Sequence, residues 1–315
     1  MDAAPKEMPA RLQAVLPWLI CPQTWARSGR EIPLQWDGVR LRSSAFEYVV
    51  TGEVANLRLP FDQQSATSYD DILGDFPVVE PSAAQVLTAT GMQAADFKDT
   101  KVLLVGTAQG IDINWILSLQ PRALVCLDYS TFIERVAQRN DDGRLTFLVG
   151  DACDLPFASG TFDIALSMGC IQHTRSPELA AQEMMRVLRS GGKLNIANLY
   201  SRNEHNQRIS MLRHKYRLHE IARDKAKAFL RRNAMLYTIL AMTGLWRLHR
   251  RFPFPGILQY SNLPKQSFSF YLANAEDYYL AFYRHLTSEA EVRFWADRLG
   301  GGYDRTPKGH LITKR

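Results

Sequence analysis

Between residues 101 and 200 the chain alternates two kinds of apolar block. Val102 to Val105, then residues 123–128, 144–149, 161–167 and 193–200, are short runs rich in β-branched and aliphatic side chains with little polar interruption. Such runs predict strands buried on both faces. Residues 110–119, a segment starting at Ser130, and residues 177–189 instead carry apolar positions at helical spacing. Strands and helices in alternation predict an α/β fold, a doubly wound parallel sheet with helices on both faces. Ser190, Gly191 and Gly192 read as the C-cap of the preceding helix. Near the end, Thr287 with Ala290 and Glu291 marks a helix start, with the helix running to Leu299. Residues 309–313 supply a last strand.

The flanks read differently. Residues 1–60 hold short alternating runs punctuated by Pro22, Gly29, Gly38 and Gly52, which predicts a small β-rich module. Residues 61–100 are polar and mixed. Pro81 followed by Ser82, Ala83, Ala84, Val86 and Leu87 predicts a short helix with proline in its first turn, a segment that would lie over a pocket. The remainder, residues 101–315, forms the main domain, interrupted at about 201–286 by a helical insertion.

That insertion changes the electrostatic picture. From Asn203 to Arg251 there are twelve Lys or Arg against three acidic residues, a local +9 that exceeds the +6 of the whole chain. A basic cap suits an anionic substrate, an anionic membrane surface or RNA. It equally suits a two-helix cap with a solvated basic face and an apolar side built from Ile209, Leu212, Tyr216, Met235, Leu236, Ile239 and Leu240. Aromatic residues for base stacking are sparse among its basic positions, which disfavours nucleic acid. The longest uncharged, mostly apolar run, residues 234–246, falls short of the ~20 residues a spanning helix needs.

Composition narrows the class further. The four cysteines (Cys21, Cys126, Cys153 and Cys170) are scattered without a C-x-x-C pair. That argues against a disulfide framework and a thiolate zinc site, and for a reduced, cytoplasmic setting with no metal. Acidic residues and prolines near the N-terminus do not fit a signal peptide.

Chemistry collects where strands end. Lys101 to Gly110 (KVLLVGTAQG) reads as strand, glycine-bearing turn and helix, the arrangement that brings backbone close to a nucleotide-like ligand. Alone it is weak, because any tight turn can need glycine. Asp128 ends the second strand about twenty residues later, where a carboxylate can accept from both hydroxyls of a ribose. Asp151 follows the third strand, where it can accept from an exocyclic adenine amine.

Taken in order, VLLVGTAQG, LVCLDYS, GDACDLPFASGTFDIALSMGCIQH and ELAAQEMMRVLRSGGKLNIANL resemble the class I S-adenosylmethionine-dependent methyltransferases. The likeness is to the small-molecule branch that includes ubiquinone and menaquinone biosynthesis enzymes, and it covers roughly residues 95–200. It implies a Rossmann-like fold with a seven-stranded sheet, a substrate-capping role for the insertion at about 201–286, S-adenosyl-L-methionine as cofactor and S-adenosyl-L-homocysteine as product. By this resemblance Gly106, Thr107, Ala108 and Gly110 approach the methionine moiety and Asp128 holds the ribose. Tyr129 flanks the adenine, Asp151 and Ala152 bind its edge, and Met168 and Gly169 line the pocket near the sulfonium. Two departures matter. The family usually carries an acidic residue where this chain has Leu104, and glycine where it has Ala108; Asp112 is a neighbour able to compensate for the missing carboxylate. Residues 1–60, with L-x-x-L-x-C-P (Leu16 to Pro22) and later T-G-E-V-A-N-L, are similar to a zinc-ribbon-like module found before methyltransferase domains. Only Cys21 of the usual cysteine pairs is kept, so this module reads as degenerate and without zinc.

Residues 268–303 loosely resemble an aromatic segment of one methyltransferase branch, matched by Asp277, Tyr279, Tyr283, His285, Glu291 and Trp295. Methyl transfer needs positioning above all, plus a base if the acceptor is a hydroxyl. His173, shortly after the fourth strand, and His285 are the candidate bases, against a packing role for each. Tyr200, Tyr279, Tyr283 and Arg284 are candidates for holding the acceptor. The expectation is a methyltransferase acting on a small organic acceptor, O-methylation foremost, in a biosynthetic pathway. The alternatives are an RNA (tRNA) methyltransferase using the basic cap, and a member of the fold that transfers no methyl group, as a partner subunit or with a repurposed pocket.

Overall fold

In the computed structural model residues 7–59, 80–243 and 268–315 are described. They fall into two compact units: residues 7–59 with 80–199 and 287–315, and residues 200–243 with 268–286.

The first unit opens with helices α1 (Ala10–Val15) and α2 (Pro22–Ser28) and a three-stranded antiparallel sheet, β1 (Gln35–Trp36), β2 (Leu41–Arg42) and β3 (Glu47–Tyr48). A hairpin follows, β4 (Val50–Thr51) and β5 (Val54–Asn56). After α3 (Ala83–Thr90) come β6 (Lys101–Val105), α4 (Ile113–Ser118), β7 (Ala123–Asp128), α5 (Ile133–Ala137), β8 (Leu145–Val149) and β9 (Phe162–Met168). Helix α6 (Pro177–Val187) and β10 (Leu188–Ala197) complete the parallel part.

Among the described residues the large sheet has nine strands, the expected seven and two more. The order is β11-β12-β10-β9-β6-β7-β8-β5-β4, where β11 (Gly301–Arg305) and β12 (Gly309–Lys314) are the last two strands. Strands β6 to β10 are parallel, and β12 runs antiparallel to both β10 and β11. The two extra strands belong to the N-terminal segment: β5 pairs in parallel with β8 through Ala55↔Leu148 and Asn56↔Val149.

Packing joins the same pieces. One apolar cluster contains Leu12, Val15, Leu19, Leu34, Leu41 and Tyr48 from the N-terminal segment and Leu103, Val125, Leu148, Phe157 and Phe162 from the central part. Cys21 is fully buried in it, and its sulfur meets the Thr24 N–H (3.4 Å), the Thr24 and Ser43 hydroxyls (3.1 and 3.4 Å) and the Tyr48 hydroxyl (3.1 Å). Burial pushes that thiol up, but the hydrogen bonds from Ser43, Thr24 and Tyr48 outweigh it and leave its pKa lowered.

Several boundaries differ from the sequence reading. Ser82 caps α3 in a reciprocal capping box with Gln85, so Pro81 precedes the helix instead of opening it. The last helix, α10 (Glu289–Arg298), is capped by Ser288 with Glu291, one residue beyond Thr287. Helix α6 ends at Val187 because Leu188 turns extended and pairs with Phe162. The register then slips before Lys193, so Ser190 to Gly192 form an irregular entry to β10 and not a helix cap.

The second unit packs α7 (Glu204–Lys215), α8 (Arg223–Met242) and α9 (Phe268–Leu280) around Ile209, Leu212, Leu218, Ala226, Leu230, Tyr279 and Leu280. Met235, Leu236 and Ile239 of the expected apolar side are exposed at 56, 45 and 56%. Arg247, Arg250 and Arg251, the 61–79 part of the overlying segment and the end of the 234–246 run lie outside the described residues.

Because Leu19 is 1% exposed in the shared cluster, Leu19→Ala is expected to cost about 2–5 kcal/mol. It should lower the unfolding transition that reports the central sheet. Urea denaturation followed by far-UV circular dichroism checks this, and an independent N-terminal domain would instead unfold in a separate, earlier transition.

Candidate cofactor and catalytic site

Strand β6 lies in the middle of the sheet with Val102 to Val105 buried. At its end the backbone turns through three left-handed residues, Gly106 (φ 84°), Ala108 (φ 49°) and Gly110 (φ 83°). A side chain at Gly106 would collide with Cys170, and one at Gly110 would come within 2.7 Å of Val136. Alanine at 108 occupies a conformation that costs L-residues on the order of 1 kcal/mol, which gives a physical reason for the glycine expected there.

Asp128 ties this turn to its neighbours. One carboxylate oxygen accepts the Ala108 N–H (2.7 Å) and the other the Ser130 N–H (2.9 Å), while its main-chain carbonyl accepts the Gly150 N–H (2.8 Å). The ends of β6, β7 and β8 therefore converge on one carboxylate-bearing residue. This is the C-terminal edge at which open parallel sheets bind ligands.

The loop after β8 is held from two sides. Asp151 accepts the Cys153 N–H (2.7 Å) and pairs with Arg175 (3.1 Å), which also reaches Asp154 (2.5 Å) and the Cys153 carbonyl (3.3 Å). From α6, Glu183 accepts the Leu155 N–H (3.0 Å). Arg186 donates to the carbonyls of Leu155 (2.9 Å) and Phe157 (2.6 Å) while pairing with Glu183 (2.7 Å). Ala152 is buried beside Asp151. Burial raises the Asp154 carboxyl to about 7 against the opposing pull of Arg175.

Met168 ends β9, and Gly169 (φ 81°) donates its N–H to the Ala197 carbonyl (2.9 Å). A 3-10 turn, Ile171–His173, follows and leaves His173 only 8% exposed. Beside Gly169, Gln172 is 2% exposed and its side-chain carbonyl oxygen is buried with no hydrogen-bond donor among the described residues. Leu104 is fully buried and stands in register with Cys126. Burial pushes the Cys126 thiol up, with Asp112 and Asp128 adding to the effect. Asp112 is 7% exposed, accepts the Trp115 indole N–H (2.7 Å) and has its carboxyl raised by burial. No basic side chain among the described residues pairs with it.

Thr107, 1% exposed, and Tyr129 belong to the first unit, and Tyr200, Tyr279, Tyr283, Arg284 and His285 lie in the second. The Tyr200 hydroxyl bonds Asp277, and the Arg284 guanidinium sits 4.5 Å from the Tyr200 ring centroid. Arg284 donates to Asn206 (3.0 Å) and Ser210 (2.6 Å), and its buried Nε has no partner among the described residues. Tyr283 stacks on His285 with centroids 6.2 Å apart, and Tyr279 is fully buried in this unit's apolar core. Part of the basic charge is used internally. Arg213 donates to the carbonyls of Tyr279, Ala281 and Phe282, Arg217 pairs with Glu220, and Lys227 pairs with the buried Glu276.

Sequence reasoning overlooked Arg175, Glu183, Arg186 and Arg58. The i,i+3 spacing of Glu183 and Arg186 was a usable signal; for the other two there was none.

Residues 103–196 match the family described as a methyltransferase domain. Ajmaline N-methyltransferase of Rauvolfia serpentina is 42% identical over 53 residues, 17% of this chain and 18% of that protein. The ubiquinone/menaquinone biosynthesis C-methyltransferase UbiE of Dinoroseobacter shibae is 52% identical over 54 residues, 17% of this chain and 21% of that protein. O-methyltransferase rstn1 of Aspergillus nomiae is 26% identical over 127 residues, 39% of this chain and 56% of that protein. The similarity thus spans from about a fifth to just over half of these relatives' lengths. With the strand order and the turn at Gly106 to Gly110, the match identifies the central part of the chain as a class I S-adenosylmethionine-dependent methyltransferase domain.

The raised Asp154 carboxyl carries a pH signature. The folded protein holds this proton more tightly than the unfolded chain, so its contribution to stability is complete below the usual carboxylate range and is lost as pH rises through about 7. Asp154→Asn is expected to flatten the stability profile between about pH 5 and about pH 8, read as urea midpoints. Parallel profiles for variant and parent would refute it.

Proposed function

We propose that this chain binds S-adenosylmethionine at the C-terminal edge of β6, β7 and β8 and transfers its methyl group to an oxygen of a small organic acceptor. The observation that carries the reading is the convergence of the left-handed turn, Asp128 and Asp151 at that edge. The residues present suit the cofactor's chemistry. Acidic side chains stand where hydroxyl and amine donors need acceptors, backbone takes the place of side chains at Gly106, and the buried Gln172 oxygen lacks a donor. In this reading Asp128 takes the ribose hydroxyls, Asp151 and Ala152 meet the adenine edge, Tyr129 flanks it, and Met168 and Gly169 border the reacting centre.

When bound, the cofactor supplies an electrophilic methyl on a sulfonium, displaced in line with little covalent help. The chain's task is then to orient the acceptor, exclude water and accept a proton. His173 is the proposed base, buried in the turn that follows β9. Tyr200, Tyr283, Arg284 and His285 are the proposed acceptor-orienting group, with Tyr279 fixing the helix that carries Asp277. The similar relatives methylate nitrogen, carbon and oxygen. The choice of oxygen rests on the need of a hydroxyl acceptor for a base such as His173. The internal use of Arg213 and Lys227 leaves less basic surface for RNA and supports the small-molecule reading.

Asp112 is proposed to supply the negative charge that Leu104 does not, meeting the cofactor's ammonium. Its buried carboxylate without a basic partner supports this.

Calorimetric titration with S-adenosylhomocysteine is expected to give saturable binding, and no binding to the folded protein would overturn the reading. His173→Ala should lower turnover by about a hundred- to ten-thousandfold with cofactor affinity nearly unchanged; equal turnover would return His173 to packing. Asp112→Asn should weaken S-adenosylhomocysteine by about ten- to a hundredfold but leave 5′-methylthioadenosine, which has no ammonium, unaffected. Equal losses for both ligands would exclude the ammonium role.

A further inference from the structure

The segment after the β4–β5 hairpin reaches the nucleoside end of the site. Leu57 continues the pairing begun by β5, its N–H meeting the Val149 carbonyl at 2.7 Å. Leu57 and Leu59 are buried at 1 and 4% exposure, so the intervening Arg58 projects from the opposite side of the extended chain. Its N–H bonds the Asn56 side chain (3.3 Å), which fixes the local backbone. Its guanidinium then makes two contacts with one residue. Nη1 donates to the Tyr129 carbonyl at 2.9 Å, and the guanidinium carbon lies 5.4 Å from the Tyr129 ring centroid.

Tyr129 sits between Asp128 and Ser130, whose N–H already closes onto the Asp128 carboxylate (2.9 Å). Arg58 therefore restrains both the backbone and the ring of the residue next to the central carboxylate. A planar guanidinium can do both at once, since it stacks on an aromatic face while its N–H groups stay in the plane for hydrogen bonding.

We propose that Arg58, delivered by the N-terminal segment, is a positioning residue for the nucleoside half of the cofactor site, holding Tyr129 in the orientation that packs on adenine. The proposal rests on the cofactor reading above. It gives the N-terminal segment a part in ligand binding: the hairpin that lengthens the sheet also completes a wall of the pocket.

The test is a double-substitution cycle in the full-length chain, with S-adenosylhomocysteine affinity measured by calorimetry. Arg58→Ala should weaken binding by about five- to twentyfold and Tyr129→Ala by tenfold or more. The double variant should be no weaker than Tyr129→Ala alone within about twofold, because Arg58 acts through Tyr129. Arg58→Lys, which keeps the charge but loses the planar fork, should fall between parent and Arg58→Ala. It carries the same comparison if Arg58→Ala does not fold. A parent that binds alongside Arg58 variants of equal affinity would overturn this proposal alone, and so would additive losses in the cycle. A folded parent that binds nothing would overturn the cofactor reading and this proposal with it.

Discussion

The structure depends on how three strand ends are closed around Asp128. A carboxylate at 9% exposure needs its charge compensated by hydrogen bonds, and here two backbone N–H groups supply them, one from the turn after β6 and one from its own loop. Its main-chain carbonyl secures a third element through Gly150. The same bonds hold Ala108 in a left-handed conformation it would not choose by itself. The cost of that backbone is offset locally, which is how a turn that departs from glycine at its centre is kept.

A second layer of polar contacts fixes the loop after β8. Glu183 and Arg186 bind main-chain groups of Leu155 and Phe157, so helix α6 positions a loop that side-chain packing alone could not register. Arg186 also lies over Trp25 (4.2 Å) and pairs with Glu31 (3.4 Å), carrying the same support into the N-terminal segment. Within that segment, hydroxyl and N–H groups surround the Cys21 sulfur and anchor the start of α2.

The central sheet was legible because strands buried on both faces must be written as continuous apolar runs, and Val102 to Val105 and Leu145 to Val149 are. Asp128 and Asp151 were legible because a charge at the end of such a run has few reasons to be there other than a ligand or a turn. The β5 strand was not. Three residues, Val54 to Asn56, carry no usable period, and their partner lies far along the chain. Arg58 and Arg175 were missed for a related reason: an arginine in a loop has the same sequence signature whether it is solvated or bound. The glycine at 191 was misread because a helix cap and a strand irregularity ask for the same left-handed residue.

The pairing of β5 with β8 also bears on the order in which the chain can fold. The Arg11 carbonyl is bonded by Thr146 across 135 residues, and Arg58 meets Tyr129 across 71. Contacts of that separation form late, since the loops between them must close first. A chain leaving the ribosome would expose Leu12, Leu19 and Leu41 well before their partners at Phe157 and Phe162 are made. The stretch from Leu12 to Leu41 is thus synthesised well before the partners that bury it, and its apolar side chains stay exposed for that interval.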